Sequence, residues 1–226
     1  MSSAAVVGRF VRRAPGTTLW FLALTATTVV LASLPEWVQE RLLVRRSTNL
    51  YQLAHHPFRV LVASAFWISP SAVLVWLGLA QFLVMFLVFL HPLERWLGTL
   101  RWLAVVVTGH AGGTLVAQGL LALRIHLGQE SRALVFGVDV GASYGVAAAA
   151  GVLVWRLARP WSARYGLVMF TLLALTLVVN RTYDDVGHLS AFLLGVACRP
   201  LTHDRPTWDP GQAWRRRRAA APPPRG

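Results

Sequence analysis

The chain contains no lysine, a single cysteine (Cys198) and only nine acidic residues. A lone cysteine excludes an internal disulfide. No Cys-x-x-Cys, His/Cys cluster or His-Glu-x-x-His occurs, so no metal site is expected, and no organic cofactor is implied. Charged residues make up 14% of the chain against 55% hydrophobic, which excludes an ordinary soluble domain. The missing lysines are a compositional habit rather than a function, since all 22 basic residues are arginine. The resulting net charge of +13 could suggest nucleic acid. In a chain this apolar it is read instead as membrane orientation, because cytoplasmic flanks collect arginine.

What is present is a series of apolar runs that reach or approach the ~20 residues needed to cross a bilayer as a helix. They predict one all-α domain, a six-helix polytopic membrane bundle over residues 17–198. The expected spans are 17–34, 71–90, 100–123, 137–158, 165–180 and 186–198. Residues 1–16 form a short basic N-terminus. A basic start before an apolar run also fits a signal peptide, but this run exceeds the usual ~7–15 residues. Residues 35–70 interleave Trp37, Leu42 and Leu43 with Glu40, Arg41 and Arg45, a pattern for helix lying among headgroups. A tight turn is expected over 91–98. Residues 199–226, rich in arginine and proline, are expected to be disordered, their arginines against anionic lipid.

Six spans put both termini on one side. With that side cytoplasmic, 15 arginines lie inside and seven outside. The expectation is a multi-pass protein of the plasma membrane, with spans four and six both running from outside to inside.

Two stretches could carry chemistry. Span four holds Gly137, Gly141, Gly145 and Ala149 at intervals of four; span six holds Gly187, Ala191 and Gly195 at the same interval. Small residues so spaced let helices approach closely in lipid. Beside the outer end of each stripe stands a chemically capable residue, Ser143 on one and His188 on the other. A close pair of such helices would bring the hydroxyl within reach of the imidazole as nucleophile and general base. Backbone N–H groups at a helix start can help hold an oxyanion. Asp139 reads as a cap for the start of span four, and Asp184 and Asp185 as surface charges of the loop. His110 lies within span three without a catalytic partner in the sequence, and His55 and His56 read as interfacial.

In four features, in order along the chain, the sequence resembles the rhomboid intramembrane proteases. Gly141-Ala-Ser143 is similar to the family's Gly-x-Ser motif. Gly187-His188 with Ala191 and Gly195 is similar to the pattern of its sixth span. His56-Pro-Phe-Arg59 stands where the family has an aromatic-Arg pair in its first external loop. Leu93-Glu94 through Gly98 is similar to its Glu-x-x-x-Gly turn.

The resemblance implies a Ser143–His188 dyad that cleaves transmembrane helices of other membrane proteins near the external face. The lipid bilayer and those helices are then the partners, and nucleic acid is not. Two departures stand out. Tyr144 replaces the glycine that usually follows the serine, placing a phenol in the wall of the site beside Gly141. The family's second span normally supplies a histidine and an asparagine to the oxyanion. Counting back from Glu94 puts Gly78 and Phe82 there, with Gln81 one residue off as a substitute donor. Losing such donors costs about 10²–10³ in rate per donor. The alternative is therefore a catalytically inactive relative that binds transmembrane helices without cleavage. A transporter would predict charges buried mid-membrane and repeated broken helices, which the sequence lacks.

Overall fold

The structure, a computed structural model, describes residues 3–68 and 75–219. The expected start of span two at Ser71, and Pro222–Pro224 of the tail, lie outside these residues. Among the described residues the chain is helical, with one isolated parallel bridge between Leu157 and Trp208.

Helix α1 (Ser3–Arg13) precedes α2 (Pro15–Ala32). Proline at the first position suits a helix start, where its missing N–H is no loss. The next N–H groups are taken by Glu94, which is almost fully buried. Its Oε1 accepts from Gly16 N at 2.8 Å and its Oε2 from Thr17 N at 2.7 Å, while Thr99 Oγ1 donates to Oε1 at 2.8 Å. A carboxylate at a helix N-terminus answers both the orphan donors and the macrodipole. Gly16 is required at this junction, since a Cβ there would meet the Trp102 ring at 2.6 Å.

The connection expected to lie along the headgroups is three short helices, α3 (Glu36–Arg46), α4 (Leu50–His55) and α5 (Pro57–Ser64). Buried Asn49 caps α4 by accepting from Gln52 N and donates to Val44 O. The Gln52 side chain in turn accepts from Arg59 at 2.7 Å. Trp20 Nε1 donates to Ala65 O, tying α2 to the end of this connection.

Helix α6 (Val75–Met85) continues through a π-turn, Phe86–Leu90, into α7 (His91–Leu97). The expected tight turn at 91–98 is thus helix. Pro92 has no N–H to give Val88 O, and the chain takes up the defect with the wider His91 N to Phe86 O bond. Gly98, at φ +85°, ends the helix in a conformation other residues resist. Helix α8 (Thr99–His126) then crosses back.

Span four departs most from expectation. Residues 137–142 are not helical; α9 is only Ser143–Val152, closed by a 3₁₀ turn Leu153–Arg156. Helix α10 (Trp161–Asn180) has no buried residue and packs at the periphery, while α11 (Tyr183–Ala197) runs through the centre. The tail is ordered over its described part: Trp208 N donates to Arg156 O at 2.7 Å and Ala158 N to Trp208 O at 2.9 Å, before α12 (Pro210–Ala219). Edge-type backbone pairing, invisible to composition, overrides the expected disorder. Four helices among the described residues, not six, are long and apolar enough to span a membrane: Pro15–Ala32, Val75–Leu97, Thr99–His126 and Trp161–Asn180. Helices α9 and α11, at 10 and 15 residues, are shorter and are enclosed by the others.

Helices α8, α9 and α11 form the centre. A Cβ on Gly195 would strike the Ala148 backbone, one on Gly151 the Phe192 backbone, and one on Gly109 the Ala148 side chain. Residue numbers rise together along α9 and α11, so these two run parallel, with α8 antiparallel to both.

Two variants check this account. Glu94→Gln removes one acceptor and the charge from a buried cap, and should cost about 2 kcal/mol, read as a lower melting temperature in detergent. Gly195→Val drives a side chain into backbone and should cost about 3 kcal/mol by the same measurement.

Candidate active site

The site begins with a segment that cannot pair with itself. Residues 137–142 precede α9 without helical bonds, so their polar groups need other partners. Asp139 N donates to Ser47 Oγ at 2.6 Å, and Asp139 O accepts from Thr48 N and Thr48 Oγ1, each at 3.0 Å. Gly141 N donates to Ser64 O at 2.9 Å. The Asp139 side chain accepts from Gln118 Nε2 of α8 at 2.9 Å. Asp139 therefore does not cap α9; it anchors the approach to it. Gly137 lies outside the helix, so the stripe read from the sequence does not extend that far. Gly141 sits at φ +138°, where a side chain is strained, and this turn sets Ser143 at the first position of α9.

No side chain caps α9, which leaves its first-turn N–H groups facing the same end as Ser143. Ser143 lines an open pocket of about 310 Å³ with Asp139, Tyr183 and Asp184 among its walls. Its hydroxyl makes no hydrogen bond among the described residues, and none joins it to His188. Phe82 of α6 approaches Gly141, its Cζ 3.8 Å from where a Cβ would stand. Gln81 is exposed, and no hydrogen bond ties it to the site.

On α11, His188 Nδ1 lies 3.0 Å from Asp184 O. A carbonyl can only accept, so Nδ1 carries the proton and Nε2 presents its lone pair. The Tyr144 ring lies against the imidazole, centroids 4.8 Å apart, and its hydroxyl donates to Asp184 Oδ1 at 2.5 Å. Asp184 Oδ2 is 3.7 Å from His188 Nδ1. The His188 side chain keeps 23% of its surface exposed, so the ring is reachable. Gly187 makes this possible, because a Cβ there would meet the Tyr144 ring at 2.7 Å. Ala191 and Gly195 continue the same face of α11 against α8 and α9, and Gly145 meets Trp20 and Val106.

The loop aspartates thus have roles that the sequence did not reveal. Asp184 clamps Tyr144 beside His188. Asp185 is buried and closes a capping box with Thr182, whose hydroxyl and backbone N–H both reach its carboxylate. The Thr-x-x-Asp spacing is a readable signal of that cap. His110 also has a partner: its Nε2 lies 2.9 Å from Leu61 O and 3.1 Å from Ser64 Oγ. That second serine–histidine pair is a brace, since Ser64 is fully buried and Nε2 is committed to a carbonyl.

A family model described as rhomboid-like protein matches residues 9–208. No curated protein and no solved structure matches the chain. The match covers the whole helical bundle and runs on to Trp208 in the tail, so the chain is a membrane protein of the rhomboid-like family.

Proposed function

We propose that the protein is an intramembrane serine protease with Ser143 as nucleophile and His188 as general base. The observation that carries the reading is the fixed tautomer of His188: with Nδ1–H held by Asp184 O, Nε2 is the free base. Its support is the parallel packing of α9 and α11 and the uncapped helix start at Ser143. His188 Nε2 takes the Ser143 proton as Oγ attacks the scissile carbonyl. First-turn N–H groups of α9 meet the oxyanion that forms. The imidazolium returns its proton to the leaving amine, and water entering through the pocket hydrolyses the acyl-enzyme. Because no hydrogen bond joins the two side chains, substrate binding has to draw them together. The substrate is a transmembrane segment of another protein, locally unwound and cut near the external face. The protein sits in the plasma membrane with both termini cytoplasmic.

One observation favours a second reading, helix binding without cleavage. The Asp139 and Asp184 carboxylates line the pocket where negative charge would develop, and Phe82 offers no side-chain donor there.

Labelling of the detergent-purified protein with a fluorophosphonate serine probe separates the two. The protease reading expects labelling that is abolished in Ser143→Ala and falls by about 10²-fold or more in His188→Ala. Folded wild type that takes no label, while still capturing transmembrane peptides, establishes the second reading.

A further inference from the structure

A second pocket, of about 380 Å³, lies at the far end of α9 from Ser143. Its walls come from three spans and the tail: Val88 and Phe89 of the π-turn, Leu157 after the 3₁₀ turn, Tyr165 of α10 and Trp208. Val88 is half exposed on the lipid-facing side, so the pocket opens toward the bilayer. The lining is apolar except at one point, where Arg156 enters it.

Arg156 is poorly satisfied. Among the described residues its guanidinium makes one hydrogen bond, to Pro92 O at 3.3 Å. Arg95 is near enough to repel it. The carboxylates nearest in sequence to this wall are both engaged: Asp209 accepts from Gly211 N and Gln212 N at the start of α12, and Glu94 accepts from Gly16, Thr17 and Thr99. The ion pairs Arg124–Glu130 and His188–Asp184 both lie elsewhere. A guanidinium partly withdrawn from water at an apolar surface needs an anion, and its fork of donors matches a phosphate.

We infer that this pocket binds one anionic glycerophospholipid, its phosphodiester on Arg156 and an acyl chain along Val88, Phe89 and Leu157. Charge selects the occupant: a cationic end without a counterion, open to lipid, fits an anionic headgroup with a hydrocarbon tail. Tyr165, its hydroxyl donated inward to Ala150 O, adds an apolar ring wall, and half-exposed Trp208 supplies the amphipathic ring suited to the headgroup level. The lipid would join the tail to spans two and five, because Trp208 is hydrogen-bonded to the very turn that carries Arg156. Nothing in this site depends on Ser143 or His188.

The test uses the full chain in phosphatidylcholine bilayers doped with phosphatidylglycerol that bears a diazirine on one acyl chain. A phosphatidylcholine with the same diazirine is the control. After irradiation, adducts are mapped by peptide mass spectrometry. The expected result is phosphatidylglycerol adducts on the peptides holding Val88–Phe89 and Leu157, several-fold above the control. Arg156→Gln should reduce them about tenfold, and Arg156→Lys by less. Leu157→Trp fills the pocket with Arg156 intact and should also remove them, which keeps the test decisive if the arginine variant does not fold. Equal labelling by both lipids, adducts unaffected by either substitution, or adducts spread over the lipid-facing helices would overturn the proposal.

Discussion

The contact on which the rest of the molecule depends is backbone against backbone, where α9 and α11 meet. In lipid, apolar side chains gain nothing by leaving one hydrocarbon environment for another, so association rests on packing and internal hydrogen bonds. Gly195 against Ala148 and Gly151 against Phe192 bring the two axes closer than any side chain would allow. Gly187 extends this contact to the Tyr144 ring, and so fixes His188 beside that ring. Helix α8 closes the third side through Gly109 and Gly113, each of which would collide with α9 or α11 if it carried a Cβ. The long helices α2, α6 and α10 can then be mostly lipid-exposed, because the specific contacts are concentrated in two short central helices.

Short central helices create a second demand. A chain that has stopped being helical within a bilayer must find hydrogen-bond partners elsewhere in the protein. Residues 137–142 find them in Ser47, Thr48, Ser64 and Gln118. The connection formed by α3–α5 is therefore a structural part of the site and not a mere link between α2 and α6. His110 completes the bracing, since it holds Leu61 and Ser64, and Ser64 O holds Gly141. Glu94 plays the equivalent part at the other end, where it serves the start of α2.

These two demands explain how much could be read in advance. The interval-of-four stripes of span six and the later part of span four report local geometry, so Gly145, Gly187, Ala191 and Gly195 could be singled out from the sequence. Gly137 and Gly141 keep the same interval but lie on non-helical chain, because the periodicity of small residues does not reveal where helical bonds are lost. What breaks the helix is a set of acceptors and donors about ninety positions away, at Ser47 and Thr48. The role of Asp184 was hidden for the same reason: its partner Tyr144 is forty positions distant. The tail's arginines and prolines say nothing of the pairing at Trp208, nor of the bonds that Trp96, Arg101 and Leu97 make to residues 201–206. The Thr182–Asp185 box carries a signal in its spacing, yet Asp185 reads from the sequence as a surface charge of the loop.

Asp184 also bears on whether the pocket favours or opposes hydrolysis. A carboxylate beside a developing oxyanion is unfavourable, and Asp184 lines the pocket that Ser143 opens into. Yet its two oxygens are not equivalent. Oδ1 accepts the Tyr144 hydroxyl at 2.5 Å, which disperses part of its negative charge onto the phenol. Oδ2 stands 3.7 Å from His188 Nδ1, on the side of the ring that becomes cationic when Nε2 takes a proton. In the proposed reaction the same carboxylate would stabilise the imidazolium. Asp139 is held differently: its carboxylate accepts from Gln118, and it too lies within electrostatic reach of His188. In the proposed reaction the field at Ser143 would have three sources, the N-terminal dipole of α9, the Asp184–imidazolium pair and the Asp139 carboxylate. The first two would favour charge separation between serine and histidine, and both are built into the helix starts that the close packing of α9 and α11 holds together.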